Sequence, residues 1–180
     1  MSSIDDATFA ARARDLEWLL LDVDGVLTDG VLVYGAEGEV LKRFHVRDGL
    51  ALRLAQRAGL RLAALSGRNC APLETRLIEL DFAHVHLGSK DKRADFAAFL
   101  EKQATTAERV AAIGDDLQDL VVLTRTGLSF APIDAVPEVR ERVDVVLERR
   151  GGEACVREMV ERLLRARGEW SRLIAPYLEA

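Results

Sequence analysis

Cysteine is scarce: Cys70 and Cys155 are the only two in 180 residues. Their spacing matches no zinc or dithiol motif, so free thiols in a reducing cytoplasm are expected. Long apolar runs are also missing. None approaches the roughly 20 residues needed to span a bilayer. Residues 1–17 carry four acids and no apolar segment, which argues against a signal peptide. Positive charge is in the minority, with 25 Lys and Arg against 30 Asp and Glu, a formal net charge of −5. The two signs are interspersed, so no basic face points to nucleic acid. An anionic substrate would need a positive field local to its pocket. Internal repeats, low-complexity tracts and linkers are absent too. A length of 180 residues then suits one domain, 1–180, with a sizeable core.

What the chain has is alternation. Short apolar runs occur at 18–23 (WLLLDV), 60–66, 83–87, 109–114, 127–131 and 144–147. Continuous runs of this kind fit buried parallel strands. Between them lie helical stripes: Leu50, Ala51, Leu54, Ala55 and Ala58; Leu73, Leu77, Ile78 and Leu80; Phe96, Ala97, Phe99 and Leu100. Val156, Met159, Val160, Leu163 and Leu164 mark a final amphipathic helix. The pattern predicts an α/β fold, a doubly wound parallel sheet with helices on both faces. Residues 30–44 read instead as strand, glycine-containing loop, strand: a β-hairpin inserted after the first core strand. A tail, 167–180, keeps Trp170, Leu173, Ile174 and Tyr177.

Ligands of such sheets bind beyond the carboxyl ends of the strands. The first strand is followed by Asp22-Val23-Asp24-Gly25, the second by Ser66-Gly67-Arg68. The third is followed by a segment holding Lys90 and Lys92, the fourth by Gly114-Asp115-Asp116 with Asp119 behind. Two like charges 4 Å apart cost about 4 kcal/mol at an effective dielectric of 20. A cluster of Asp22, Asp24, Asp115 and Asp116 therefore calls for a cation. All-oxygen ligands suit Mg²⁺, which keeps waters and binds phosphate oxygens. A hydroxyl and a lysine opposite it suit a phosphoryl group. The residues alone point to magnesium-dependent phosphoryl transfer.

DVDGVLTDG, SGR, a lysine and GDDLQD, in that order over about residues 16–165, resemble the haloacid dehalogenase (HAD) superfamily of phosphatases. The resemblance implies Asp22 as nucleophile and Asp24 as acid/base. Ser66 and Lys92 would hold phosphate oxygens, with Lys90 as the other candidate lysine. Asp22, Asp115 and Asp24, the last through its backbone carbonyl, would ligate Mg²⁺. Asp116 and Asp119 would position ligands or water. The hairpin, RFHVRDG (43–49), SGR and GGEACVREMVERLL (151–164) narrow the resemblance to the 3-deoxy-D-manno-octulosonate (KDO) 8-phosphate phosphatases, which act in lipopolysaccharide precursor synthesis and carry no cap domain. It implies substrate contacts at Asp24, His45, Val46, Arg47, Asp48, Gly49, Arg53, Arg68, Arg76 and Lys92. The arginines suit a sugar acid, because arginine pairs with carboxylates in bidentate fashion. A homotetramer built on the hairpins is implied as well, with neighbouring subunits shaping the pocket and a tail that in relatives can reach a neighbour's site. Two alternatives stay open: a phosphatase of a nine-carbon keto-deoxy sugar acid 9-phosphate, and a non-catalytic tetramer-forming HAD-like domain.

Overall fold

In the computed structural model, which describes residues 4–36 and 38–178, the first apolar run forms β1 (Trp18–Leu21) at the centre of a sheet. Successive strand side chains point to opposite faces. Leu19 and Leu21 enter one core and Trp18 and Leu20 the other, which is why the run is apolar throughout. The same division splits β4 (Arg61–Ser66) and β6 (Val110–Ile113). Beyond them lie β5 (His84–Leu87), β7 (Leu128–Ala131) and β8 (Val145–Val146). All six strands are parallel, in the order β5-β4-β1-β6-β7-β8. Strand order thus reverses at β1, and the crevice at such a reversal is where ligands bind.

Four helices cover one face: α1 (Asp6–Asp15), α2 (Val46–Arg57), α3 (Ala71–Glu79) and, from later in the chain, α7 (Cys155–Ala166). The other face carries α4 (Lys92–Lys102), α5 (Leu120–Leu123) and α6 (Pro137–Arg140). A short α8 (Trp170–Ile174) follows α7. Helix α1 is not anticipated by apolar periodicity. It is started by Asp5, whose carboxylate accepts the Thr8 N–H at 2.9 Å. The expected strand at 18–23 stops at Leu21, and that at 144–147 shrinks to two residues. There the Asp144 carboxylate accepts from Ser129 N and Oγ, replacing ladder hydrogen bonds.

The hairpin forms as β2 (Val33–Gly35) and β3 (Gly38–Leu41), an antiparallel sheet of its own. Glu37, between Ala36 and Gly38 in sequence, lies outside the described residues, as do residues 1–3 and the last two of the tail. Between β1 and β4 the described chain holds this hairpin and α2 and no cap domain. The tail packs back on its own chain: Trp170 lies under the guanidinium groups of Arg157 (4.8 Å) and Arg165 (5.2 Å), and the Tyr177 hydroxyl accepts from Arg57 at 3.2 Å. No helix among the described residues is long and apolar enough to cross a membrane.

Candidate active site

Parallel pairing of β1 with β6 sets the ends of these strands side by side, and the Asp22 N–H still donates to the Ile113 carbonyl at 3.0 Å. Asp22 and Asp115 therefore emerge from neighbouring strands at the same edge. Lys92 reaches them from the first turn of α4, a helix started by the Asp91 carboxylate. Its Nζ donates to Asp22 Oδ1 at 2.8 Å and to Asp119 Oδ1 at 2.6 Å, and all three side chains are buried. Lys90 is exposed. Carboxylate oxygens of Asp22, Asp115 and Asp119 lie within 4.8 Å of one another. Asp119 is fixed by accepting the backbone N–H groups of Asp115 (3.0 Å) and Asp116 (3.1 Å). Gly25 is required beside this cluster: it adopts φ +80°, and a Cβ there would stand 2.0 Å from Asp115 Oδ2.

Three carboxylates share one ammonium. Burial, reinforced by Asp119 and opposed by Lys92, pushes the Asp22 carboxyl up to about 7. Burial, with Asp22, Asp119 and Asp116, pushes Asp115 up to about 8. A divalent cation relieves this repulsion, and an all-carboxylate donor set suits a hard ion such as Mg²⁺. The third carboxylate of the cluster is Asp119, expected from the sequence to position ligands or water, while the carboxylates of Asp24 and Asp116, expected in the acidic cluster, are not part of it. The Asp24 carboxylate turns instead to the Lys42 ammonium, so its expected part in metal binding rests on its main-chain carbonyl.

Around Asp24 lies a group the sequence only half revealed. Lys42 pairs with Asp24 and with Glu39 (2.6 Å). The Glu39 carboxylate lies 3.7 Å from Arg68, which also donates to the Tyr34 hydroxyl at 3.0 Å. Ser66 is buried, and its Oγ accepts the Arg68 N–H at 3.2 Å. No motif marks Lys42: in sequence it reads as a charge at the end of a hairpin.

The remaining expected substrate residues gather around the start of α2. His45 caps the helix, its Nδ1 accepting from Arg47 N at 3.2 Å. Val46 is 79% exposed. Asp48 is buried and accepts the Arg157 N–H at 2.7 Å; burial pushes its carboxyl up to about 6. Arg76 approaches Gly49, lies 5.7 Å over the Phe44 ring and pairs with Glu79. An open groove of about 430 Å³ runs from Lys42 past Phe44 and Val46 to Arg76. Arg47 lines a second groove of about 680 Å³ with Arg149 and Arg157. Arg53 is not brought to the carboxylates: it pairs with Asp81 at 2.5 Å and caps the carbonyl of Glu79 at the far end of α3.

No protein-family model matches the chain. It is 41% identical over 163 residues to the KDO 8-phosphate phosphatase KdsC of Escherichia coli (strain K12), covering 91% of this chain and 87% of the other. Among solved structures, the cobalt-bound deoxy-D-mannose-octulosonate 8-phosphate phosphatase of Haemophilus influenzae superposes with a TM-score of 0.89 at 38% identity, over 93% of this chain and 99% of that one. The Moraxella catarrhalis KDO 8-phosphate phosphatase, in complex with magnesium ion, phosphate ion and KDO, superposes with a TM-score of 0.90 at 31% identity, over 94% and 97%. The chain belongs to the KDO 8-phosphate phosphatase family of the HAD superfamily.

Proposed function

We propose that the chain is a Mg²⁺-dependent phosphatase that hydrolyses KDO 8-phosphate to KDO and phosphate, a step of lipopolysaccharide precursor synthesis. The observation that carries this reading is the buried Asp22–Lys92–Asp119 group with Asp115 beside it at the ends of β1 and β6. Asp22 attacks phosphorus and forms an aspartyl-phosphate as the bond to the sugar oxygen breaks. Asp24 gives a proton to that departing alkoxide, then takes one from the water that hydrolyses the intermediate. Lys92 and Ser66 hold phosphoryl oxygens and stabilise charge that builds up during transfer. Asp22, Asp115 and the Asp24 carbonyl, with Asp119 close by, would hold Mg²⁺, which supplies positive charge to the phosphoryl oxygens. The arginines Arg47, Arg68 and Arg76 meet the sugar's carboxylate and hydroxyls, together with His45, Val46, Asp48 and Gly49.

Arg53, expected at the substrate, is held instead by Asp81 and the Glu79 carbonyl of its own chain. The hairpin region exposes Val31, Val33, Tyr34, Val40 and Leu41. This apolar surface supports a homotetramer assembled through the hairpins, and the free thiols of Cys70 and Cys155 support the cytoplasm as its compartment. The test is Mg²⁺-dependent phosphate release. Asp22→Asn should lower kcat on the order of 10⁴-fold or more with the fold intact. Chelation of Mg²⁺ should abolish turnover. Undiminished release by Asp22→Asn, or full activity in excess chelator, refutes the reading.

A further inference from the structure

Lys42 stands where the hairpin returns to the body of the chain. Its side chain is fully buried, and its ammonium is met by the Asp24 and Glu39 carboxylates. Stability does not account for such an arrangement. Replacing a buried ion pair by apolar groups is often neutral or stabilising. The contact is also one-sided. Lys42 meets Asp24 at Oδ1, and Thr28 Oγ1 lies 3.5 Å from the same oxygen. Oδ2 accepts no hydrogen bond among the described residues. One oxygen of Asp24 is therefore clamped and the other is left to exchange a proton. Glu39 extends the clamp towards Arg68 at 3.7 Å.

We infer that Lys42 is a positioning residue for the phosphatase reaction: it clamps Asp24 through Oδ1 so that Oδ2 protonates the leaving oxygen. The inference rests on the acid role proposed for Asp24. In the step concerned, the Asp22–phosphorus bond forms while the bond to the sugar oxygen breaks. The proton of Asp24 passes to that oxygen, and the resulting carboxylate stays paired with Lys42. The hairpin then does in this fold part of what a cap would do, by ordering a reacting group.

Leaving-group dependence separates positioning from a merely structural role. An aryl phosphate leaves without an acid, whereas a sugar alkoxide needs one. kcat/KM covers substrate binding and phosphoenzyme formation but not hydrolysis of the intermediate, so it should be measured with saturating Mg²⁺ on KDO 8-phosphate and on 4-nitrophenyl phosphate. Lys42→Met should lower it about 30-fold or more on the sugar phosphate and less than about 3-fold on the aryl phosphate. Equal losses on both substrates, or no loss, overturn the inference. Because Lys42→Met leaves Glu39 buried without its partner, the double variant Lys42→Met/Glu39→Gln is measured as well and should give the same selective loss. Mg²⁺ affinity by calorimetry should stay within about 3-fold; a tenfold weakening would mean that Lys42 acts through the metal and also overturns it. Asp24→Asn distinguishes the two failures. If Asp24→Asn is selective and Lys42→Met is not, the positioning role is wrong. If Asp24→Asn impairs both substrates alike, the acid role itself is wrong.

Discussion

At Lys92 one ammonium serves two buried carboxylates, and Asp115 completes a cluster with more negative charge than the protein itself balances. The consequence is a pH dependence with a definite sign. Asp22 and Asp115 are raised from an ordinary value of 3.8 to about 7 and about 8. A carboxyl raised on folding binds its proton more tightly in the folded state. The contribution of these two groups to metal-free stability is thus fully present below about pH 4 and is lost as pH rises through 7 to 8. Mg²⁺ replaces the protons, so the rise in Tm that it causes should be small at pH 5 and large at pH 8. Scanning calorimetry at both values, with and without Mg²⁺, checks this; an equal rise at both would place the ion elsewhere. Asp115→Asn should raise the metal-free Tm at pH 8, by about 2–4 °C for each kcal/mol of repulsion relieved, and remove most of the Mg²⁺ effect. Lys92→Met leaves Asp22 and Asp119 unpaired and should lower kcat on the order of 10²–10³-fold.

The catalytic loop after β1 is braced by an element remote in sequence. The Gly152 N–H donates to the Val26 carbonyl at 2.9 Å, and a Cβ on Gly151 would stand 1.9 Å from the Gly25 carbonyl oxygen. Gly151→Ala must therefore displace the loop that presses on Asp115. It should destabilise by about 1–3 kcal/mol and weaken Mg²⁺ binding, read by thermal unfolding and calorimetry. If Gly151→Ala left both unchanged, the brace would have no functional weight. None of this was legible in sequence beyond the Gly-Gly pair itself, because close approach between backbones leaves no periodic trace. The core strands and the four loops were legible, since burial on both faces writes an uninterrupted apolar run and the chemistry follows each run at once. The short α1 was not: its start depends on one Asp5 cap and its packing on few residues. Asp119 was visible as a residue but not as the third carboxylate, because its place is set by a one-turn helix that folds it back onto the Asp115 and Asp116 amides. Lys42 was hidden for a similar reason, as only the hairpin's return brings it to Asp24.

For the whole molecule, a net charge of −5 must coexist with an anionic substrate. The arginines resolve this locally: Arg68 stands beside the Asp24 group, while Arg76 and Arg47 line grooves at the start of α2. The exposed apolar residues of the hairpin are the basis of the proposed assembly. Val40→Glu with Leu41→Glu, both exposed on β3, should leave the fold intact and yield a species of about 19.9 kDa by light scattering, with kcat/KM reduced. A monomer as active as the unaltered protein would remove the neighbour from the active site. Substrate length decides what the site is built for. The direct measurement is kcat/KM with Mg²⁺ for KDO 8-phosphate beside a nine-carbon keto-deoxy sugar acid 9-phosphate. The account predicts phosphate release from both carried furthest by the eight-carbon substrate, by about tenfold or more; a higher kcat/KM for the nine-carbon substrate, or no release from either, contradicts it.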